Sequence, residues 1–134
     1  MCTLIPIGRV ESPLTDRSQA PRQGTAEAPA AWLVFEPRFS DGLRDLTVGA
    51  EIIVLTWLDR ADRTVLLTRP REDPPRPARG VFSTRSPDRP NPIGLHRVKI
   101  AAIEDLRILV RHLEALNGTP IVDIKPVLDA TAER

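Results

Sequence analysis

Ile52-Ile53-Val54-Leu55-Thr56-Trp57-Leu58 is a run of β-branched, aliphatic and aromatic side chains with no polar alternation. Such side chains fit a pleated strand, and an unalternating run of this length implies cover on both faces. The core lies on one side and a loop or a second subunit on the other, so Glu51 to Leu58 reads as the central strand. Working outward, further strands are predicted at Leu4 to Val10, Ala31 to Phe35, Thr64 to Thr68, Gly80 to Thr84, Arg97 to Ile103, Arg107 to Leu113 and Ile121 to Lys125. Fourteen prolines leave few windows long enough for a helix, because proline removes a donor and clashes with the preceding turn. Only Ser40 to Leu46 reads as a short helix, with Ser40 as N-cap and Gly42 weakening it. Eight short strands at this spacing predict an all-β fold, a barrel or sandwich with short helix or loop insertions.

The 134 residues suit one compact domain, residues 1–134. No apolar run reaches the roughly 18 residues of a membrane span. The first residues have neither a basic head nor an apolar stretch, which predicts a cytoplasmic protein without a secretory leader. Cys2 is the only cysteine, excluding an internal disulfide and a cysteine-rich metal site. The net charge of +1 conceals an asymmetry: residues 60–100 carry ten basic against four acidic side chains, while both flanking parts are acidic. Nine of those ten cations are arginine, whose planar fork suits phosphate, so an anionic partner such as nucleic acid is indicated. With 17 arginines against two lysines, a solvated arginine-rich surface is the plainer alternative.

Between Thr68 and the strand starting at Arg97 lie two unusual stretches. Pro70 to Arg79 holds four prolines and reads as a mobile loop. Gly80-Val81-Phe82-Ser83-Thr84-Arg85-Ser86-Pro87-Asp88-Arg89-Pro90-Asn91-Pro92-Ile93-Gly94-Leu95 has three closely spaced prolines that hold an extended path, with Gly94 permitting a turn into the next strand. Its carbonyl oxygens can accept from an adenine amino group or an ammonium, while Arg85 and Arg89 can hold a carboxylate or phosphate. That combination suits a zwitterionic nucleoside. On the residues alone, a proline-rich connection between two strands is the stronger reading.

This stretch resembles the G-V-F-A-T-R-S-P-x-R-P-N-P-I-G-L signature of the TsaA-like family of TrmO-type tRNA methyltransferases. Ile7-Gly8-Arg9-Val10-Glu11-Ser12-Pro13 with Pro21-Arg22-Gln23, and Leu113-Glu114-Ala115-Leu116-Asn117-Gly118-Thr119-Pro120-Ile121-Val122-Asp123-Ile124-Lys125-Pro126, are similar to two more of the family's blocks, in its order. The resemblance implies a single-sheeted β-barrel that forms a homodimer and binds S-adenosyl-L-methionine. It implies methylation of the exocyclic nitrogen of threonylcarbamoyladenosine beside a tRNA anticodon. Carried over by position, the cofactor-binding residues are Gln23, Gly24, Thr25, Arg85, Leu95, Arg111, His112, Leu113 and Glu114. Consistently, none of the seven glycines forms a G-x-G pair, so the phosphate loop of a Rossmann-type enzyme is missing.

Alternation adds a separate expectation. Ile108 and Val110 share a strand face with His112 and Glu114, so a core-facing side turns polar as the strand ends, like a pocket mouth; a surface histidine is the alternative for His112. Asp123 and Lys125 share the other face of their strand from Val122 and Ile124. They are read as the catalytic pair, Asp123 taking a proton or hydrogen bond from the target nitrogen and Lys125 balancing charge, against the alternative of a solvated ion pair. Departures from the family pattern fall at Leu14, Glu51, Glu114, Asn117 and Val127, where substrate is expected. A non-catalytic module that binds adenosylmethionine or RNA is the rival, although three Phe, two Trp and no Tyr give little surface for base stacking.

Overall fold

A computed structural model describes residues 2–13, 30–69 and 77–128. Strands β1 (Gly8–Glu11), β2 (Ala31–Phe35), β3 (Glu51–Trp57), β6 (Ile93–Glu104), β7 (Arg107–Arg111) and β8 (Pro120–Pro126) close into one antiparallel barrel in the order β1-β2-β7-β6-β3-β8. A separate two-stranded ribbon pairs β4 (Leu67–Thr68) with β5 (Arg79–Gly80). The all-β prediction holds. Closure removes free edges from the six barrel strands.

The central-strand reading of β3 is also met. It pairs with β6 from Glu51↔Lys99 to Trp57↔Ile93 and with β8 from Ile52↔Pro126 to Thr56↔Ile121. Ile52, Val54 and Thr56 point into the barrel and are buried, whereas Ile53, Leu55 and Trp57 face outward and are half-buried. Inside, Val54 meets Val10, Leu33, Ile100, Ile108, Val110, Leu113 and Ile121 in one core. Two register shifts shape the ring. One lies between Leu55 and Thr56, opposite β8, and leaves Val122 without a partner on β3; the other, between Ile100 and Ala102, bends the long β6 so that its first half serves β3 and its second half β7. Gly8 is required where β1 crosses β2, because a Cβ there would collide with the Val34 carbonyl.

Several element bounds differ from expectation, each for a local reason. The short helix is a 3-10 segment at Pro37–Leu43, and its N-cap is Glu36 rather than Ser40. Pro37 sets the first helical φ, while Asp45 adopts φ 75 just beyond the far end. The strand expected at Thr64 begins only at Leu67, because Asp62 Oδ1 accepts from both the amide (2.8 Å) and the hydroxyl (2.6 Å) of Thr64 and closes a turn. Gly80 to Thr84 is not a strand. After Gly80 the chain tightens into a 3-10 turn at Val81–Ser83, held by Ser83 Oγ donating to Gly80 O and Thr84 Oγ1 donating to Val81 O. The strand expected from Arg97 starts earlier, at Ile93, and β1 starts later, at Gly8. Most of the Pro70 to Arg79 loop falls outside the described residues.

On the outer face of β1-β2-β7, Arg107 donates to Glu11 Oε1 at 2.9 Å and its guanidinium lies 4.6 Å from the centre of the Trp32 ring. Both charged groups are about half exposed, so Arg107→Ala is expected to lower stability by only about 1 kcal/mol. Urea denaturation checks this. Glu11→Gln, which leaves the ring contact in place, should lose less.

Candidate cofactor cleft

The proline-rich stretch is held by arginines. Arg89 donates to three carbonyls, Val81 O at 2.9 Å, Thr84 O at 3.0 Å and Ser86 O at 2.9 Å, folding the stretch around its own guanidinium. Arg63 donates to Pro90 O (2.7 Å) and Asn91 Oδ1 (3.2 Å) while lying 5.0 Å from the Trp57 ring centre, which ties the stretch to β3. The Asp62 amide donates to Asp88 Oδ1, and the Leu58 amide to Pro92 O. These bonds correct the expectation that the carbonyls and Arg89 are free for a ligand: the carbonyls of Val81, Thr84, Ser86, Pro90 and Pro92 already accept from protein donors. A chain segment rich in proline lacks N–H groups of its own, so arginine and neighbouring amides supply them. Arg85, by contrast, is exposed and has no hydrogen-bond partner among the described residues.

Arg85 borders a cleft of about 470 Å³ on the outside of the barrel, lined also by Ile53, Leu95, His96, Arg97, His112 and Glu114. The β3–β6 register sets Ile53 opposite Arg97, with Leu95 two residues along the same outer face. His112 and Glu114 arrive by a different route from the one alternation predicted. His112 adopts φ 64, a left-handed conformation that ends β7 and shifts the alternation by one residue. Leu113 and Ala115 therefore enter the core, and His112 and Glu114 turn to the cleft.

The cleft is electrostatically divided. Arg97 Nε donates to Glu51 Oε2 at 2.8 Å, and that hydrogen bond with its charge holds the Glu51 carboxyl below its ordinary range. Glu114 lacks such a partner among the described residues: its Oε2 is buried with no hydrogen bond to any of them, and burial pushes its pKa up to about 7. Burial depresses the His96 pKa to about 4, leaving the ring neutral at physiological pH. The folded chain holds the Glu114 proton more tightly than the unfolded chain, whose carboxyl keeps the ordinary value of 4.5. Stability should therefore fall as pH rises between about 4.5 and about 7, and level above that. Denaturation midpoints at pH 5 and pH 8 test this, and Glu114→Gln is expected to gain on the natural protein at pH 8 more than at pH 5.

Of the residues predicted to bind cofactor, Arg85, Leu95, His112 and Glu114 come together here. Gln23, Gly24 and Thr25 lie outside the described residues. The Leu113 side chain is buried in the core, and Arg111 is exposed at the end of β7, outside the lining. Asp123 and Lys125 stand on the outer face of β8, opposite Leu55 and Ile53, one strand away from the cleft wall. They pair with each other at 3.1 Å, and Asp123 Oδ1 also accepts from the Ile124 amide. Ile53, His96 and Arg97 were not anticipated. Leu95 with the pairing of the central strand was the available signal, since Ile53 and Arg97 follow from it once β6 is seen to begin at Ile93.

Among the described residues, this all-β barrel has an external cleft bordered by a guanidinium and a carboxyl that lack hydrogen-bond partners. Residues 9–132 match the tRNA-methyltransferase O N-terminal domain. An S-adenosyl-L-methionine-binding protein of Archaeoglobus fulgidus is 44% identical over 122 residues, covering 91% of this chain and 86% of the relative. A probable S-adenosyl-L-methionine-binding protein of the same organism is 44% identical over 120 residues, and there the chain spans only 32% of the relative. The crystal structure of TrmO from Pseudomonas aeruginosa superposes over 100% of this chain with a TM-score of 0.75 and 28% identity. A further TrmO crystal structure gives 0.77 and 30%. The chain covers 60% and 62% of those two proteins. This chain belongs to the TrmO, or TsaA-like, family.

Proposed function

We propose that the cleft binds S-adenosyl-L-methionine and that the chain transfers its methyl group to the exocyclic nitrogen of threonylcarbamoyladenosine beside a tRNA anticodon. The observation that carries the reading is the buried Oε2 of Glu114 in the same cleft as Arg85, both without a hydrogen-bond partner among the described residues. A zwitterion satisfies both: Arg85 takes a carboxylate, and Glu114 accepts from an ammonium or a ribose hydroxyl. Leu95 and Ile53 supply apolar wall, and Gln23 to Thr25, with the chain from Arg111 to Leu113, complete the contact. Bound there, the cofactor supplies a sulfonium-activated methyl group. The protein's share is placement of the accepting nitrogen in line, which supplies much of the barrier reduction without covalent help. Asp123 accepts a hydrogen bond or proton from that nitrogen, and Lys125 offsets the substrate's carboxylate beside it. The basic stretch from Arg60 to Lys99 meets the tRNA backbone in a cytoplasmic homodimer, in which the exposed Ile93 and the half-buried Leu55 and Trp57 face the second copy.

Two measurements test the proposal. In calorimetry, Arg85→Ala should weaken S-adenosylmethionine binding about tenfold with the melting temperature unchanged, as expected for one exposed charge-assisted bond. Equal binding removes Arg85 from the site. Mass spectrometry of tRNA nucleosides from cells with and without the gene reads the reaction: loss of methylated threonylcarbamoyladenosine is expected. An unchanged profile with intact cofactor binding instead assigns a different acceptor, as the substitutions at Glu51, Asn117 and Val127 would accommodate.

A further inference from the structure

Arg97 is the second guanidinium of the cleft, and none of the roles above uses it. It stands on the outer face of β6 opposite Ile53, which has Lys125 on its other side, and Glu51 is one outward position back along β3. Glu51 Oε2 accepts from Nε at 2.8 Å, which leaves the two terminal nitrogens without a hydrogen-bond partner among the described residues. A guanidinium carries five N–H donors in one rigid plane, so a carboxylate on Nε fixes that plane and leaves donors at its far end. Lys125, across Ile53, is already paired with Asp123 at 3.1 Å. Both members of the Arg97–Glu51 bridge are about half exposed, where such a bridge adds little stability. Its main effect is to hold the fork in one position.

We infer that Arg97, held by Glu51, is a second anion site of the cleft and takes an oxyanion of the methyl acceptor, its carboxylate or an adjoining phosphate. The inference rests on the cofactor and acceptor reading above. S-Adenosylmethionine offers one carboxylate against an ammonium and a sulfonium, and Arg85, which has no hydrogen-bond partner among the described residues, suits that carboxylate. The second fork finds no further anion on the cofactor, so its ligand comes from the other reactant. Glu51 stays ionised beside Arg97, held below its ordinary range by that same hydrogen bond and charge. Two anions then share one guanidinium, and removing the Glu51 charge should strengthen the hold on the second.

Fluorescence anisotropy on the full chain tests it, at fixed salt and with S-adenosylhomocysteine present. An anticodon stem-loop RNA carrying threonylcarbamoyladenosine is compared with the same RNA carrying its methyl ester. The unaltered chain should bind the acid about tenfold more tightly than the ester, as expected for one charge-assisted contact. Arg97→Ala should weaken the acid about tenfold and bring the ratio to about one, while S-adenosylmethionine affinity from calorimetry stays within about twofold. Glu51→Gln keeps an oxygen for Nε and removes the charge, so it should tighten the acid about threefold more than the ester. If the anion is a phosphate, the unaltered chain binds both RNAs alike and Arg97→Ala loses about tenfold on both. An Arg97→Ala chain, shown folded by its melting temperature, that binds both RNAs as the natural chain does overturns the inference, and so does one that loses S-adenosylmethionine as strongly as RNA. Should that variant not fold, Glu51→Gln decides, and unchanged affinity for both RNAs overturns the inference. Failure of the unaltered chain to bind the stem-loop removes the acceptor reading and this inference together, while calorimetry still reads the cofactor site.

Discussion

Arg89→Ala is expected to lower folding stability by about 3–5 kcal/mol, since each hydrogen bond to a charged donor contributes about 1.5–3 kcal/mol and water recovers only part of what is lost. The half-buried guanidinium donates to Val81 O, Thr84 O and Ser86 O together. Val81 O would keep the Thr84 amide (3.0 Å) and hydroxyl (2.9 Å), whereas Thr84 O and Ser86 O have no other donor among the described residues. Val81 is itself 1% exposed, so loosening this turn also frees a core side chain. Arg89→Lys should recover less than half of the loss, because an ammonium on a flexible stem lacks the planar fork that reaches three oxygens at once. Chemical denaturation measures both. A change below about 1 kcal/mol for the alanine variant would mean that the three bonds contribute little and that the stretch is held chiefly by Arg63 and the Leu58 and Asp62 amides.

Arg85 and Arg89 stand four residues apart in the same short motif and look interchangeable in the sequence, yet one opens to the cleft and the other is spent on backbone carbonyls. Neither periodicity nor propensity distinguishes them. A stretch with prolines at 87, 90 and 92 has no repeating face, and side-chain direction there follows from which carbonyls need donors. The barrel strands were easier. β2 and β3 are legible almost to the residue because apolar side chains recur on their inner faces at every second position. Reading failed where one residue overrides the pattern: hydroxyl-capped turning at Val81–Ser83 replaced a predicted strand, and the left-handed His112 reversed the alternation after Arg111. That reversal decided the cleft. It sends Leu113 to the core and Glu114 to the cleft, an outcome that spacing along an assumed strand could not give. His96 was missed for a related reason, since it lies just beyond the motif and its partner Thr56 stands forty positions earlier in the chain.

Gly94→Ala is expected to cost about 2–5 kcal/mol, combining about 1–3 kcal/mol for overpacking with a comparable penalty for a buried hydroxyl left unpaired. The added methyl would meet Thr56 Oγ1, His96 Nε2 at 2.8 Å and Leu58 Cδ2 at 3.3 Å. Rotating Thr56 gives no relief, because its own methyl would then turn toward the same space or into the packed core around Val54. Any movement of the His96 ring away from the new methyl breaks its bond to Thr56. A double-mutant cycle isolates the cause. Thr56→Ala removes both the collision and the hydroxyl that would be orphaned, so Gly94→Ala should cost much less in a Thr56→Ala background than in the natural chain. Additive losses would show that Gly94 is needed for some other reason. Coupled losses would explain in atomic terms why the glycine of the signature sits opposite this threonine: it makes room for the polar pair that orients His96.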